Sequence, residues 1–315
     1  MAFFEENRAT DIPLEQVIDA LRLFFSDINN RDIKFFYHGT YNVFEVKNRY
    51  IFRFPDILFR NDKGVKLIQN EVNTLYYVEK YISTTIPEPE FISLDPDCPF
   101  MGYEKIEGVP LSKCFHNASI EEKSKIALEI GGFLSELHNE KLVQDALKNL
   151  IIDDRFTCEK YREDWQIYFE NVQKIIFKLM NPVQKKWIVN FFNTFLNNNE
   201  NFNFKGKFIH GDFDISNIII NPKTFKLNGI VDFEESRIYD PAADFLFFDE
   251  GNAFLKTIIE NYREIMEISF EERMKFLYCR SCLGYIEFGI ENKIPEMVNA
   301  GFKLLNRKMS RFPLK

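Results

Sequence analysis

The segment HGDFDISNIII carries three residues whose types and order could perform chemistry, namely His210, Asp212 and Asn217. A second aspartate, Asp232, follows in the segment IVDFEE. A carboxylate such as Asp212 can orient a hydroxyl group or accept its proton. The side-chain oxygens of Asn217 and Asp232 are hard ligands of the kind that Mg²⁺ prefers. Together these residues predict a phosphoryl-transfer site in which Asp212, Asn217 and Asp232 converge below a triphosphate.

The elements around these residues must bring two separate segments together. The spacing of the histidine, the aspartate and the asparagine is that of the protein-kinase catalytic loop. Such a site needs a strand, a polar loop, an apolar strand, a turn and a second apolar strand before the last aspartate. The sequence supplies each part, with the two apolar strands predicted at Ile218–Ile220 and Gly229–Val231.

The chain before about Ile106 predicts a small sheet with one helix packed on it. Hydrophobic periodicity indicates an opening helix over residues 11–25 and a second helix over residues 65–81. Alternating aromatic and β-branched residues predict two antiparallel strands over Lys34–Phe54, and two more strands in IPEPEFISL and PFMGYEKI.

The rest of the chain is predicted to be mainly helical. Helices are expected at about 119–138, 158–180, 181–199, 241–263 and 270–307. Two strand-like runs that contain the candidate catalytic residues, KFIHGDFDISNIII and FKLNGIVDFEES, interrupt them.

Composition limits the class of protein. The net charge of −8 argues against a nucleic-acid partner and mildly favours a cationic ligand. No apolar run is long enough for a membrane span, and the N-terminal segment lacks the pattern of a secretory signal, so we expect a cytoplasmic protein without a membrane partner. The five scattered cysteines, including Cys279 and Cys282 in a helical pattern, are expected to be free thiols.

Three motifs give the chain a family resemblance. HGDFDISN, GIVDFEES and YDPAADF resemble the signature of the aminoglycoside phosphotransferase and choline kinase superfamily. The order and spacing of YIFRFP, NEVNTL, IPEP, KIEGVPL and FLSELH are similar to those of the aminoglycoside 2''-phosphotransferases. The resemblance covers about residues 12–307 and implies an α+β, two-lobed, protein-kinase-like fold. We therefore expect a nucleotide-binding lobe over residues 1–106, ending in the hinge, and a helical lobe with the catalytic loop, magnesium site and acceptor pocket over residues 107–315.

The same resemblance implies roles for individual residues. Asp212 would be the catalytic base, and Asn217 and Asp232 would hold Mg²⁺. His210 would support the catalytic loop through hydrogen bonds. Asp244, in YDPAADF, would hold the same loop, because a buried carboxylate must be paired or must accept backbone donors.

The phosphoryl donor is expected to be ATP or GTP, bound against Arg53 and Glu71. These two residues lie where kinases place a phosphate-contacting lysine and its glutamate partner, although here the lysine is replaced by an arginine. The glycine-rich loop position contains only Gly39, so Thr40 or Asn42 would have to assist it.

The hinge is expected in GYEKIEG. The backbones of Glu104 and Ile106 would hydrogen-bond the base, and Tyr103 would be the gatekeeper next to it. A bulky tyrosine at this position resembles the gatekeeper of those 2''-phosphotransferases that favour GTP. The gatekeeper alone does not determine the base, so both ATP and GTP are expected as candidate donors.

The acceptor is expected to be a small cationic molecule bound by carboxylates of the helical lobe. The candidates are Asp214, Glu235, Asp249, Glu250, Glu287 and Glu291. A solvated acidic surface would contain the same residues. Only Asp214 and Glu235, which lie beside the catalytic residues, are better explained as acceptor-binding residues. Glu234, which stands where the family pattern has glycine, either alters the loop or adds acceptor contacts.

Three functions fit these residues. The first is phosphorylation of an aminoglycoside, and with it antibiotic resistance, by a monomeric enzyme. The second is a metabolic kinase of the same superfamily acting on choline, homoserine or a sugar. The third is a non-catalytic nucleotide-binding scaffold, suggested by Arg53, Glu234 and the depleted glycine loop. A protein kinase is disfavoured because the chain lacks an activation loop and an APE segment.

Overall fold

The computed structural model describes residues 9–59, 61–148 and 156–313. Its N-terminal part contains a five-stranded antiparallel sheet of strand order β1-β2-β3-β5-β4. The strands are β1 (Ile33–His38), β2 (Tyr41–Val46), β3 (Tyr50–Pro55), β4 (Pro89–Ser93) and β5 (Phe100–Glu104). Two helices accompany this sheet, α1 (Leu14–Leu21) and α2 (Asp62–Val78).

The two faces of this sheet pack against different helices. Successive side chains of a strand point to opposite faces, so Phe52 and Phe54 of β3 pack with the apolar residues of α1. Ile51 lies on the other face, in the same cluster as Ile68 of α2. Arg53 shares that face and is 3% exposed. The alternation of β3 therefore directs a buried cation toward α2.

The predicted number of strands in this part of the sheet was wrong. The run Lys34–Phe54 forms three strands, because a tight turn at Gly39 and Thr40 separates β1 from β2. Glycine and polar residues in a pattern of alternating aromatics mark such a turn. The expected helix at 65–81 is present but begins earlier, at Asp62.

The C-terminal part is mainly helical, as predicted. Its helices are α3 (Ile120–Leu137), α4 (Glu140–Lys148), α5 (Cys158–Ile175), α6 (Pro182–Leu196), α7 (Asn252–Asn261), α8 (Phe270–Glu291) and α9 (Pro295–Arg311). Two small sheets lie among them, one with the order β6-β8-β9 and one pairing β10 with β7. These strands are β6 (Val109–Pro110), β7 (Lys207–Ile209), β8 (Ile218–Ile220), β9 (Leu227–Ile230) and β10 (Arg237–Tyr239).

Three helix predictions need correction. Helix α4 was missed. The expected helix over 241–263 is a 3₁₀ turn at Pro241–Phe245 followed by α7, and Gly251, with a φ of +104°, precedes that helix. The expected helix over 270–307 is two helices, because Pro295 starts a new one where its missing N–H costs nothing.

The structure confirms the α+β class, whereas the division at residue 106 stays a prediction. Across the described residues, none of the helices is both long enough and apolar enough to cross a lipid bilayer. All five cysteines are free thiols. Burial in α8 raises the pKa of Cys279 to about 12 and that of Cys282 to about 11.

Candidate active site

Two strand ends bring the predicted catalytic segments together. Strand β7 ends directly before His210, and β8 begins directly after Asn217. Strand β9 pairs antiparallel with β8, and the backbone N–H of Val231 donates to the carbonyl of Asn217 at 3.0 Å. Asn217 and Asp232 are therefore held on adjacent stretches of backbone.

The carboxylate of Asp244 holds the start of the catalytic loop. It accepts hydrogen bonds from the backbone N–H groups of His210 at 2.7 Å and Gly211 at 3.0 Å. Nε2 of His138, at the end of α3, lies 3.1 Å from the same carboxylate. Asp244 is fully buried, so these contacts replace the hydration that the charge has lost.

His210 lies inside the loop and does not face solvent. It is fully buried, and its Nε2 lies 3.0 Å from the carbonyl oxygen of Val231. Burial lowers the pKa of His210, which keeps the imidazole neutral. The histidine thus connects the catalytic loop to the strand end that carries Asp232.

Gly211 occupies a position that only glycine tolerates well. Its φ is +91°, and an added Cβ atom would lie 2.3 Å from the carbonyl oxygen of Glu235. The close approach of these two backbones brings the loop of Asp212 against the segment that follows Asp232.

Asp212 is half-buried in a strongly acidic environment. Burial raises the pKa of its carboxyl to about 8, and the charges of Asp214 and Asp232 add to the rise. Glu235 acts in the same direction. A cation or a cationic ligand placed among these groups would reverse this effect, because it would favour the ionised carboxylates.

Asn217 and Asp232 fit a magnesium site. The amide Nδ2 of Asn217 donates to the backbone carbonyl of Asp212 at 2.8 Å, which leaves the amide oxygen for a ligand. Mg²⁺ in phosphoryl-transfer sites takes one or two protein oxygens and completes its shell with phosphates and water. Among the described residues, the only group of three close His, Cys, Asp or Glu ligands is Asp11, His38 and Asp56, elsewhere in the fold. Asn217 and Asp232 could thus supply the one or two protein oxygens that such a metal takes.

Arg53 connects the sheet to this loop. Its Nη1 donates to the carboxylate of Glu71 in α2, and its Nη2 donates to Oδ1 of Asp232 at 2.5 Å. Nη2 also lies 3.5 Å from Oε2 of Glu234. The ring of Tyr41 lies under the guanidinium, with its centroid 4.1 Å from Cζ. The predicted pair of Arg53 and Glu71 is therefore part of a larger polar cluster.

The acidic members of this cluster share one cation. Burial raises the pKa of Glu71 to about 7, although the charge of Arg53 opposes the rise. Burial raises the pKa of Glu234 to about 9, and the charge of Asp232 adds to it. The raised pKa values favour the protonated forms of Glu71 and Glu234, and a second cation close to them would favour their ionised forms.

The turn between β1 and β2 lies over the same cluster at one point. The hydroxyl of Thr40 acts on Glu234 and opposes the rise in its pKa. Gly39 is held by a bond from its N–H to the carbonyl of Tyr41 at 2.9 Å. Asn42 points to the other face of the sheet, where its Nδ2 donates to Asp11 at 2.7 Å. Of the two residues expected to assist Gly39, the structure places Thr40 near the site and Asn42 away from it.

The predicted hinge follows β5. Tyr103 is buried on the Arg53 face, and burial raises its pKa. The carboxylate of Glu104 is exposed and accepts a hydrogen bond from Nε of Arg49 at 3.2 Å. Ile106 packs beside Gly229 of β9, which brings the predicted hinge into contact with the small sheet of β6, β8 and β9.

The candidate acceptor carboxylates divide into two groups. Asp214 and Glu235 act on the pKa of Asp212, and Asp214 acts on that of Glu250 as well. Burial raises the pKa of Glu250 to about 7. Asp249 instead accepts a bond from the hydroxyl of Tyr278 at 2.8 Å and lies 3.4 Å from Arg311.

Glu287 belongs to the second group. It lies on α8, where burial and the charge of Glu291 raise its pKa and Tyr168 and Arg280 oppose the rise. The structure thus places Asp214 and Glu235 near Asp212, places Glu250 near both Asp214 and Asp249, and gives Glu287 other neighbours.

Two residues of the site were missed. His138 ends the FLSELH motif, which does not indicate its contact with Asp244 because that contact depends on tertiary structure. Tyr41 lies in a predicted strand, and an aromatic residue on the same face as a buried arginine indicates a cation–π contact.

Comparison with known proteins identifies relatives of this architecture. Residues 32–263 match the model of the phosphotransferase enzyme family. The GDP complex of wild-type aminoglycoside 2'-phosphotransferase-IIIa has a TM-score of 0.83 at 20% identity, over 94% of this chain and 98% of the other. The gentamicin complex of APH(2")-IIa has a TM-score of 0.67 at 21% identity, over 94% and 97%. The macrolide 2'-phosphotransferase MphH from Brachybacterium faecium has 0.71 at 12%, over 96% and 99%.

At these identities the structural likeness establishes the fold. It confirms the prediction of a two-lobed, kinase-like architecture shared with aminoglycoside 2''-phosphotransferases. The family match confirms the predicted superfamily.

Proposed function

Because this chain belongs to the phosphotransferase enzyme family, we propose that it transfers the γ-phosphate of ATP or GTP to a hydroxyl group of an aminoglycoside. The observation that carries this proposal is the acidic environment of Asp212, in which Asp214, Asp232 and Glu235 all raise its pKa. An acceptor with several ammonium groups lowers the free energy of such a site, whereas a neutral acceptor leaves the repulsion in place.

The donor side of the proposal rests on the Arg53 cluster. Arg53 donates to both Glu71 of α2 and Asp232, and its guanidinium suits the oxygens of a phosphate group. Structures of this fold include a GDP complex and a streptomycin–ATP ternary complex, and these bound nucleotides support a purine nucleotide as the donor. Mg²⁺ held by Asn217 and Asp232 would neutralise the charge that develops on the phosphates.

The proposed transfer uses Asp212 as the base next to the acceptor hydroxyl. The acceptor hydroxyl oxygen attacks the γ-phosphorus, the bond from that phosphorus to the bridging oxygen breaks, and the nucleoside diphosphate leaves with its electrons. The carboxylate of Asp212 orients the hydroxyl and takes its proton. Asp214, Glu235 and Glu250 orient the acceptor through its ammonium groups.

The test is turnover by the purified protein. Nucleotide consumption is measured with ATP and with GTP, in Mg²⁺, against kanamycin, gentamicin, a macrolide, choline and homoserine. We expect turnover on an aminoglycoside, and a loss of about 10²–10⁴-fold in kcat for Asp212→Asn. Turnover on choline or homoserine alone would move the chain to a metabolic kinase, and no turnover with any acceptor would contradict the proposal.

Acceptor recognition is tested separately from chemistry. Glu250→Gln removes one predicted ammonium contact without changing the size of the side chain, so we expect a raised KM for the aminoglycoside with kcat little changed. Exposed Glu90→Gln on β4 is the control for loss of one charge. An unchanged KM in Glu250→Gln would show that this residue does not contact the acceptor. The KM of Glu287→Gln tests in the same way whether Glu287 of α8 contacts the acceptor.

A further inference from the structure

The carboxylates beside the catalytic loop continue to the C-terminal helix α9. Burial raises the pKa of Glu250, the charges of Asp249 and Asp214 add to the rise, and the charge of Arg311 in α9 opposes it. Asp214 in turn acts on Asp212. Asp214, Glu250 and Asp249 therefore form an acidic row that runs from the catalytic loop to α9.

Arg311 is held firmly at the α9 end of this acidic row. Its Nη2 donates to the backbone carbonyl of Phe248 at 2.6 Å, and its Nη1 donates to Oδ1 of Asp249 at 3.4 Å. The guanidinium also lies beside the rings of Phe248 and Tyr278, whose centroids are 5.8 Å and 5.9 Å from Cζ. Because one planar group makes contacts on two sides, its orientation is fixed.

Asp249 is already paired, although a ligand can reach it. Its Oδ1 also accepts a hydrogen bond from the hydroxyl of Tyr278 at 2.8 Å, and Arg307 lies 3.7 Å away. The side chain of Arg307 is 68% exposed and that of Arg311 is 34% exposed, so Arg311 is the better ordered of the two cations. Asp249 and both arginines line an open cavity of about 450 Å³.

The guanidinium cancels much of the attraction that Asp249 could offer to a cationic acceptor. An ammonium group that reached this carboxylate would share its single negative charge with Arg311. The second carboxylate oxygen gives no escape, because the repulsion between the two cations acts over several ångströms. The α9 end of the acidic row therefore contributes little to the binding of an ammonium group.

We propose that Arg311 is a specificity-determining residue that neutralises Asp249 and so confines recognition of ammonium groups to Asp214, Glu235 and Glu250. This inference deepens the proposed function and rests on it. The favoured acceptor carries its ammonium groups close to the reacting hydroxyl. A further ammonium group at the α9 end adds little affinity.

The experiment is a double-mutant cycle of Arg311→Met and Asp249→Asn, read by calorimetric binding of kanamycin and gentamicin without nucleotide. Salt at about 0.15 M screens distant charges more than contacts. We expect Arg311→Met to tighten binding about two- to fivefold, the range of an exposed ion pair. Asp249→Asn should weaken binding by less than about twofold when Arg311 is present, and by about two- to fivefold in the Arg311→Met background.

The pH and the net charge need controls. Each affinity is taken at the pH of tightest binding, because the pKa of Glu250 is about 7 and loss of Arg311 should raise it. Lys303→Met, at an exposed position of α9, removes one positive charge and should change binding by less than about twofold. Arg311→Gln can still donate to the carbonyl of Phe248 and repeats the test if Arg311→Met unfolds. Weaker binding in both Arg311 variants, or an equal effect of Asp249→Asn in both backgrounds, would overturn the inference.

The result is separable from the proposed function. Binding without nucleotide can show the coupling even if no aminoglycoside is phosphorylated, in which case only the proposed function fails. Aminoglycoside turnover together with an additive cycle would refute only the role of Arg311. Absence of aminoglycoside binding by the unsubstituted protein would overturn both.

Discussion

Replacing Asp244 by asparagine should destabilise the whole protein. The carboxylate accepts bonds from the backbone N–H groups of His210 and Gly211 and faces Nε2 of His138. Asparagine can keep its one acceptor oxygen with His210 and His138, and it then turns its NH₂ group toward the N–H of Gly211. At about 1.5–3 kcal/mol for a bond to a charged group, this lost bond corresponds to about 1.5–3 kcal/mol.

The loss should depend on pH in a definite direction. Burial opposes ionisation of Asp244, but the hydrogen bond from His138 and the nearby imidazoles outweigh it and lower the pKa of the carboxyl. A lowered folded-state pKa contributes stability above the unfolded value, about 4, and this contribution disappears as the pH falls through the folded value. The difference between the unsubstituted protein and Asp244→Asn should therefore be full at pH 7 and shrink below about pH 4.

Urea denaturation followed by circular dichroism measures the free energy of unfolding of both proteins. Asp97→Asn, in an exposed loop, is the matched control and should stay within about 0.5 kcal/mol of the unsubstituted protein. A loss below about 1 kcal/mol for Asp244→Asn would refute the reasoning. So would a difference that grows as the pH falls.

Three further substitutions test other parts of the site and its support. Gly211→Ala should cost about 1–3 kcal/mol, seen as a lower melting temperature, because its positive φ and the nearby carbonyl of Glu235 strain any Cβ atom; an unchanged melting temperature would contradict this. Asn217→Ala should raise the Mg²⁺ concentration needed for half-maximal turnover, and an unaltered Mg²⁺ dependence would remove the residue from the metal site. Arg273→Met should cost about 3–5 kcal/mol in urea denaturation, because it leaves the buried Asp240 without its cation, and a loss below about 1 kcal/mol would argue against that pair.

The order of elements around the catalytic loop was predictable because local signals agree there. Polar residues follow β7, three isoleucines form β8, and the turn before β9 is marked by proline and asparagine. Each signal lies within a few residues of the element it specifies. The helical lobe was predictable in class for the same reason, although Gly251 and Pro295 stand where new helices begin and apolar periodicity alone would have continued one helix through each position.

Contacts between distant segments were not predictable from these signals. Nothing near Arg53 in the sequence indicates that its second Nη group reaches Asp232 and Glu234. The same is true of His138 and Asp244, which meet only when α3 packs beside the catalytic loop. A carboxylate's partner depends on tertiary packing, and for that reason Asp249 could not be separated from the other acidic candidates before the structure was known.

The two buried thiols of α8 give the protein an internal reporter of its own opening. Cys279 and Cys282 are at most 1% exposed, and burial holds both as unreactive thiols. The other three cysteines are only half-buried. An alkylating reagent should therefore modify Cys98, Cys114 and Cys158 first, and the two thiols of α8 only when the helical lobe unfolds. The rate of that slow modification measures how often the lobe opens under native conditions, without any label or denaturant.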